Sequence, residues 1–329
     1  MNLAWGLTFV QGFVSILFMQ KINIALIGCG FLGSRHLKTL HALRNKANII
    51  AICDHNAEHG KPLSKQYHVP FVPDYKDLVG KVDAVSICTP TTSHKEIAEY
   101  FLNNKTHTFV EKPITTSIDE ADVLVSLAQK NNLKLQVGHV ERFNTAFTSI
   151  APLVKDPLFI ECHRLNLFPN RSLDIGVVMD LMIHDIDIIL GLVQSPIKDV
   201  QAVGVNVLTD KEDIANARLT FENGCVANVT ASRISPEVTR KIRMFTKNAY
   251  ISLDYAKQEA KMYTKDERGI HLKNLPIEKD EPLKRELEHF IDCVRDNKKP
   301  LVSGIEGRDA LRVALSINQK IWEHRKNIS

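Results

Sequence analysis

A glycine-rich turn constrains the fold of this chain more than any other feature. Gly28, Gly30 and Gly33 form a G-x-G-x-x-G pattern between the apolar run INIALIG and an amphipathic segment that begins with Phe31 and Leu32. The first glycine permits a tight turn, the second lets the backbone approach a pyrophosphate, and the third allows a helix to pack closely on a strand. The helix N-terminus favours the phosphate charge. The pattern therefore predicts a strand-turn-helix unit that binds a dinucleotide through these five residues.

An aspartate follows this turn at the spacing expected for a ribose contact. Asp54 stands about 20 residues after Gly33, at the end of the apolar run NIIAICD. A carboxylate there accepts hydrogen bonds from the adenosine ribose and repels a 2′-phosphate, and His55 and Asn56 supply no arginine to attract one. We therefore expect NAD as the cofactor, with NADP less favoured. The alternative is a glycine-rich turn with a capping aspartate.

The order of apolar runs predicts the fold class. In the first half, runs such as VDAVSICTP, HTFVEKP and KLQVGHV alternate with helical patterns, which predicts parallel strands with right-handed crossovers. After Asn144 the pattern changes to a two-residue period, which predicts an antiparallel sheet. We expect an α/β protein with a doubly wound Rossmann sheet, followed by an α+β domain with a mainly antiparallel open sheet.

The length of the chain favours two domains, because 329 residues exceed what one hydrophobic core usually fills. We assign residues 21–144 to the NAD-binding domain and residues 145–306 to a domain for substrate binding and oligomerisation. Residues 307–329 are expected to form a C-terminal helix that packs back on the first domain.

Charge and cysteine usage restrict the partners. The formal net charge is +4 and the basic residues are spread along the chain, which argues against a nucleic-acid groove but permits one basic pocket. The six cysteines have neither metal-ligand spacing nor the spacing of a disulfide framework. We expect reduced cysteines in a cytoplasmic protein without a metal site.

The first 20 residues, MNLAWGLTFVQGFVSILFMQ, carry no charged side chain. About 17 apolar residues are the lower limit for a membrane span, and the segment lacks the basic leader and the cleavage site of a signal peptide. It runs directly into the first strand, with no linker to clear a bilayer. We expect Met19 to be the true start, with a membrane anchor as the less favoured alternative.

One helix of the second half carries ionisable side chains among apolar ones. In DLMIHDIDIIL, Asp180, His184 and Asp187 fall on one helical face, whereas Asp185 points elsewhere. Burying such groups costs free energy unless they are paired or line a cleft. The stripe therefore faces partners or a ligand, or it is simply the solvated face of the helix.

Four motifs occur in a fixed order: the glycine turn, CTPTTSH, EKP and the D-x-x-x-H of the helix. Together they resemble the Gfo/Idh/MocA family of NAD(P)-dependent sugar and polyol dehydrogenases, over the chain from Ile22 to its C-terminus. The resemblance implies that Lys112 reaches the substrate. The residues that it implies along the cofactor are Thr89, Pro90, His94 and Glu111.

The resemblance also implies that Asp180 and His184 carry the proton chemistry. Oxidation of an alcohol sends a hydride to the cofactor and a proton to a base. We expect His184 to be that base, oriented by a carboxylate, and the Lys112 ammonium to stabilise the developing alkoxide; Lys112 is the alternative base. Asp187 is expected to orient His184 or a neighbouring group.

Further segments, among them QVGHVERFN and IECHRL, are similar to the branch of the family that oxidises UDP-N-acetylglucosamine at C3 in lipid A precursor synthesis. A UDP-sugar pyrophosphate needs cationic side chains. The candidates are Arg142, His163, Arg164, Arg171 and Arg233. Ile183 stands before His184 where many members have glycine, which implies a differently shaped pocket and argues against a small free polyol.

Two other functions remain open. The first is a dehydrogenase of a free sugar, an inositol or another cyclic compound. The second is a regulator that binds the dinucleotide without turnover, although the presence of Lys112, Asp180 and His184 together argues against it. The resemblance also implies a homo-oligomer, a dimer or a tetramer, formed through the open face of the second sheet.

Overall fold

The first domain is built on a sheet of six parallel strands in the computed structural model, which describes residues 20–168 and 175–327. The strands are β1 (Ile22–Ile27), β2 (Ala47–Cys53), β3 (Phe71–Val72), β4 (Ala84–Ile87), β5 (His107–Glu111) and β6 (Leu135–Gly138). Their order across the sheet is β3-β2-β1-β4-β5-β6. The order reverses between β1 and β4, and ligands of such sheets bind outside the carboxyl ends of the strands at this reversal.

Four helices connect these strands: α1 (Phe31–Ala42), α2 (Ala57–Tyr67), α3 (Thr91–Asn103) and α4 (Ile118–Lys130). Their inner faces pack on both sides of a sheet in which β1, β4, β5 and β6 are almost wholly buried. The start of α4 is fixed by a capping box, in which the side chains of Ser117 and Glu120 satisfy backbone N–H groups.

The second domain is built on a sheet of eight strands. They are β7 (Phe159–Leu165), β8 (Ile197–Val205), β9 (Ile214–Phe221), β10 (Val226–Ser232), β11 (Thr239–Phe245), β12 (Ala249–Asp254), β13 (Glu259–Asp266) and β14 (Gly269–Leu275). Their order is β14-β13-β12-β11-β7-β10-β9-β8. All neighbours are antiparallel except β7 and β10. The predicted fold class is confirmed.

The helices of the second half are α5 (Thr145–Ile150), α6 (Ile183–Val193), α7 (Pro282–Arg295) and α8 (Gly304–Lys326). A π-helical turn, Val178–Met182, leads directly into α6. The apolar face of α6 packs on the second sheet through Ile186 and Ile189. The predicted helix is therefore present, but its first turn is wider than an α-helical turn.

The last two helices tie the domains together. Along α8, Gly304 lies against Leu135 and Gly307 against Val137 of the first sheet, while Ile321 packs against Gly204 of the second. α7 packs on the first domain, where Phe290 joins the core beneath β1. The boundary at residue 306 stays a prediction, since α7 precedes it and yet contacts the first domain.

No helix of residues 20–168 and 175–327 is both long enough and apolar enough to cross a membrane. The predictions for the N-terminal extension lie outside the described residues, apart from Gln20.

Candidate active site

The glycine turn has the geometry that its sequence predicts. Gly28 has φ +92°, in the left-handed region that favours glycine, and a Cβ added there would lie 2.8 Å from the Cys88 backbone. A Cβ at Gly33 would lie 1.9 Å from the Gly28 carbonyl oxygen. A Cβ at Gly30 would meet no atom within 4 Å, so the backbone there is open for a ligand to approach.

The helix that follows this turn starts without a side-chain cap. The N-cap residue of α1 is Gly30, which offers no side-chain cap, and the first turn has no acidic residue. The N-cap residue of α3 is Pro90, which likewise offers no side-chain cap, and the first turn of α3 is also free of acidic residues. By contrast, α2 and α4 are capped by Asn56 and Ser117. The two uncapped helix starts at the carboxyl edge of the sheet fit the pyrophosphate of a dinucleotide.

Asp54 lies at the end of β2 and organises the same turn. Its Oδ2 accepts from the Cys29 N–H at 2.7 Å, and its Oδ1 accepts from the Asn56 N–H at 2.8 Å. A carboxylate has about four acceptor sites, so capacity remains for ribose hydroxyls.

Glu111 is held at the end of β5 by a buried histidine. His36 Nε2 lies 2.8 Å from Glu111 Oε1, and His36 Nδ1 lies 3.0 Å from Ser86 Oγ. Burial alone would raise the pKa of Glu111, but His36 and the neighbouring Lys112 lower it below its ordinary value. Glu111 therefore supplies a negative charge next to Lys112.

His94 joins the ends of two strands. Its Nε2 lies 2.9 Å from the Thr89 carbonyl oxygen, and its Nδ1 lies 2.9 Å from the Pro113 carbonyl oxygen. The ring is buried, and the peptide bond between Lys112 and Pro113 is cis. His94 thus holds the loop that carries Lys112 in place, rather than presenting its own ring to solvent.

Lys112 reaches from the first domain to the π-helical turn of the second. Its Nζ lies 2.6 Å from the Asp180 carbonyl oxygen and 3.1 Å from Asp180 Oδ1. A π-helical turn carries one more residue than an α-helical turn and often marks a functional site. The sequence predicts that Lys112 of EKP and the D-x-x-x-H helix belong to one site, and the structure places them in contact.

His184 is partly exposed on the same helix. Its Nδ1 is enclosed without a partner among the described residues, so Nε2 is the accessible nitrogen. Burial, and then the charges of Lys112 and Arg164, hold the pKa of His184 well below its ordinary value. The ring is therefore neutral.

The sequence predicts a carboxylate that orients His184, but among residues 20–168 and 175–327 no carboxylate is bonded to its Nδ1. Asp180 pairs with Lys112, and Asp185 forms a two-point ion pair with Arg164 at 2.8 and 2.9 Å. The third carboxylate, Asp187, lies 2.9 Å from Arg142 Nε. Burial raises the pKa of Asp187 to about 7, and Arg142 partly opposes this shift. Each acid of the helix thus has a cation of its own.

A loop of the second domain supports the start of the π-helical turn. Glu212 approaches so closely that a Cβ at Gly176 would lie 1.7 Å from its Oε1. Arg233 donates to Asp213 at 2.8 Å and to the Ile175 carbonyl oxygen at 2.7 Å. Burial would raise the pKa of Asp213, but the Leu208 N–H and Arg233 hold it far below its ordinary value. This charged pair fixes the backbone just ahead of the π-helical turn.

Comparison with known proteins agrees with this geometry. Residues 22–139 match the model of the Gfo/Idh/MocA oxidoreductase family with an NAD-binding Rossmann fold, and residues 136–252 match a C-terminal domain of that family. The UDP-N-acetylglucosamine 3-dehydrogenase of Acidithiobacillus ferrooxidans is 35% identical over 91% of this chain and 97% of its own. The chain belongs to the Gfo/Idh/MocA family.

Other relatives support the family and the fold. The solved structure of the Acidithiobacillus ferrooxidans enzyme has a TM-score of 0.88 over 92% of this chain and 98% of that chain. The myo-inositol 2-dehydrogenase of Thermotoga maritima is 26% identical over 92% of this chain and 97% of its own. The predictions of the family and of a dehydrogenase acting on CH–OH donors are confirmed.

Of the residues predicted to bind a pyrophosphate, the four that the structure describes do not form one cluster of unpaired cations. His163 and Arg164 are neighbours on β7, so they face opposite sides of the sheet. Arg142, Arg164 and Arg233 are each engaged by a carboxylate of the same chain. Arg171 lies outside the described residues. These contacts favour framework roles for the three paired arginines, and their contact with a substrate stays a prediction.

The structure draws attention to Arg240, which was not selected from the sequence. It lies opposite Arg164 on β11, on the inner face of the sheet, and its side chain is exposed. Among residues 20–168 and 175–327, no acid lies within ion-pair distance of its guanidinium. It is near enough to His184 to lower the pKa of that ring. The strand sequence RKIRMF could have indicated this residue. The two-residue period of a strand places Arg240 on the same inner face as Ile242.

Proposed function

We propose that this chain is an NAD-dependent dehydrogenase that oxidises the 3-hydroxyl of UDP-N-acetylglucosamine to a 3-keto sugar, in the synthesis of lipid A or surface-sugar precursors. The 35% identity over nearly the whole chain to an enzyme of that name supports the substrate. One observation carries the chemistry: the neutral, partly open His184 lies within electrostatic range of the Lys112 ammonium, which Asp180 holds in place.

The proposed reaction separates a hydride from a proton. A secondary alcohol loses the hydride from its carbon and the proton from its oxygen, which leaves a ketone. NAD, when bound, supplies the hydride acceptor. His184 takes the proton at Nε2, and the Lys112 ammonium stabilises the negative charge that develops on the oxygen. Asp180 holds that ammonium in position.

Asp54 supports NAD rather than NADP as the cofactor. A 2′-phosphate would be added next to this carboxylate, and like charges at such a distance repel each other. The nearest cationic candidates are His55 and His59, at 3.5 and 3.8 Å from the Asp54 oxygens. Neither is the arginine that usually accommodates a 2′-phosphate at this position.

Arg240 supports a nucleotide sugar as the substrate. Burying a diphosphate requires a cation that is not already neutralised, and charge-assisted hydrogen bonds from arginine to phosphate are among the stronger contacts in proteins. Arg240 meets this requirement on the inner face of the sheet, whereas Arg142 and Arg164 have acidic partners. A free polyol carries no charge that would use Arg240.

We further propose a cytoplasmic homo-oligomer that assembles through the face of the second sheet turned away from α6. A row of aromatic rings crosses the strands there, with centroids 5.7, 4.8 and 5.1 Å apart from one ring to the next. Its members are Phe159, Phe245, Tyr250 and Tyr263. An apolar row on a sheet face supports contact with a second copy. The six free cysteines agree with a reducing compartment.

Anaerobic incubation with NAD or NADP tests the proposal. The panel contains UDP-N-acetylglucosamine, UDP-glucose and myo-inositol, and the absorbance of the reduced nicotinamide reports turnover. We expect reduction of NAD with UDP-N-acetylglucosamine, and a product that mass spectrometry finds lighter by two hydrogens. Reduction with myo-inositol but with no UDP-sugar would overturn the substrate. Cofactor binding without turnover on any compound would favour the regulator.

A further inference from the structure

A second cavity lies far from the glycine turn. It has a volume of about 360 Å³ and opens between the C-terminal end of α4, the start of β6 and the first turn of α8. In a parallel sheet the cofactor binds at the carboxyl ends of the strands, and this cavity lies at the opposite edge. Its residue Leu135 begins β6, and Gly138 ends that strand about 10 Å away, at about 3.3 Å per residue.

The walls of this cavity are mainly apolar and carry positive charge only. Val125, Ala128, Leu133 and Ile305 contribute aliphatic surface. The charged residues among those that line it are Lys134 and Lys299, and neither aspartate nor glutamate is present. A cavity of several hundred cubic ångströms with few polar groups is typical of sites for small organic molecules.

Lys134 is the unusual member of the lining. Its exposure is only 9%, and its ammonium has no hydrogen-bond acceptor and no acid partner among residues 20–168 and 175–327. A lysine side chain is seldom buried to this extent without an acid partner. Lys299, by contrast, is mostly exposed and lies 3.3 Å from Glu306. The lysine without an acid partner is therefore the more buried of the two.

The start of α8 does not supply the binding groups. Ser303 and Glu306 form a capping box that satisfies its first N–H groups. The Glu306 carboxylate also repels a multiply charged anion such as a phosphate. One ammonium beside an aliphatic wall suits a singly charged headgroup that carries an apolar tail.

We propose that this cavity binds an amphipathic carboxylate, with its carboxylate on Lys134 and its aliphatic chain along Val125, Ala128 and Leu133. The ion pair gives the Lys134 ammonium an acid partner, and the aliphatic chain removes apolar surface from water. Because the cavity and the glycine turn lie at opposite edges of the sheet, the ligand and NAD bind independently.

Isothermal titration of the full chain with octanoate tests this site, with 1-octanol and octylammonium as uncharged and cationic probes of equal chain length. We expect one octanoate per chain with a Kd of about 1 mM or tighter, unchanged by saturating NAD. We expect at least tenfold weaker binding of 1-octanol and none of octylammonium. No saturable octanoate binding up to about 10 mM, or equal affinity for octanol, would overturn the proposal.

Variants locate the binding. Lys134→Met keeps the aliphatic stem and removes the charge, so it should fold and bind octanoate at least tenfold more weakly. Ala128→Leu should fill the cavity and weaken binding to a similar extent. Lys130→Met is the matched control, because Lys130 is an exposed lysine on α4 outside the cavity, and it should leave the affinity unchanged. Wild-type affinity in Lys134→Met with unchanged thermal unfolding would remove the site.

Discussion

The ring of His139 lies edge-on to the ring of His184, with their centroids 6.3 Å apart. His139 is fully buried, and both of its nitrogens lack a partner among the described residues. Burial, and then the charge of Arg142, lower its pKa to about 3. His139 thus places a neutral, buried ring behind His184 and keeps bulk water out of that space.

His139 makes the protein sensitive to acid. Its folded-state pKa is depressed below the unfolded value of about 6.5, so the unfolded chain binds the extra proton between those values and stability falls as the pH falls. We expect His139→Phe to reduce this slope by up to about 1.4 kcal/mol per pH unit. Urea unfolding at pH 7, 6 and 5 measures it. His324→Phe, at an exposed position of α8, should leave the slope as in the wild type.

Glu286 gives the opposite pH dependence. It is fully buried on α7 with neither carboxylate oxygen partnered among the described residues. Burial, and then the charges of Glu111 and Asp187, raise its pKa well above the ordinary value. A raised folded-state pKa gives stability that is complete below the unfolded pKa, about 4.3, and is lost as the pH rises toward the folded value.

We therefore expect Glu286→Gln to stabilise the protein at pH 8 by at least about 1 kcal/mol, the usual cost of a buried unsatisfied group. The gain should shrink toward pH 4.5. The control is Glu288→Gln on the same helix, which removes a partner of Lys46 at 2.9 Å and should not stabilise. Urea midpoints across this pH range measure both variants. A Glu286→Gln protein less stable than wild type at pH 8 would contradict the burial argument.

Substitutions at the two later glycines of the turn should distinguish an effect on NAD binding from an effect on folding. Gly30→Ala adds a methyl where no atom lies within 4 Å, so stability should change by no more than about 0.5 kcal/mol. The methyl would stand where a pyrophosphate approaches, so the Kd for NAD should rise at least about tenfold. Gly33→Ala collides with backbone and should lose stability as well as binding. Tryptophan fluorescence titration and thermal unfolding distinguish the two effects.

The proposed base and the proposed alkoxide stabiliser should both be needed for turnover. We expect His184→Ala and Lys112→Ala each to lose at least about 100-fold in kcat, within the usual range for acid-base groups. NAD should still bind, because neither side chain belongs to the glycine turn. His324→Ala is the control. Single-turnover kinetics measure the loss, and a near-wild-type kcat in either variant would remove that residue from its role.

Local chemistry made the first domain predictable. Gly28, Gly33 and Asp54 act through backbone conformation and through position at a strand end, and both can be read from neighbouring residues. The contact between Lys112 and Asp180 could be predicted only from the order of the family's motifs, because the two residues are 68 positions apart. Strand periodicity was sufficient to predict the second sheet, but not the parallel pairing of β7 with β10.

The partners of the helix acids could not be predicted from periodicity. A helical wheel places Asp180, His184 and Asp187 on one stripe, but the π-helical turn and tertiary packing give each acid a different cation. Gly191 explains one of these pairings afterwards, because a Cβ there would lie 1.9 Å from Arg142 Nη1. Such packing depends on surfaces brought together from distant segments.

Arg240 provides the sharpest test of the substrate, because its charge has no acid partner among the described residues and it lies on the inner face of β11. If it binds the pyrophosphate, Arg240→Gln should raise KM for UDP-N-acetylglucosamine about 10- to 100-fold, the range of one charge-assisted hydrogen bond, with a much smaller change in kcat. The dependence of KM on salt should also weaken.

Arg243→Gln is the matched control. Arg243 lies on the opposite face of the same strand, 2.9 Å from Glu161, and its loss should leave KM unchanged. Steady-state kinetics at low and high salt measure both variants, and equal KM values for Arg240→Gln and wild type would assign the pyrophosphate to other residues.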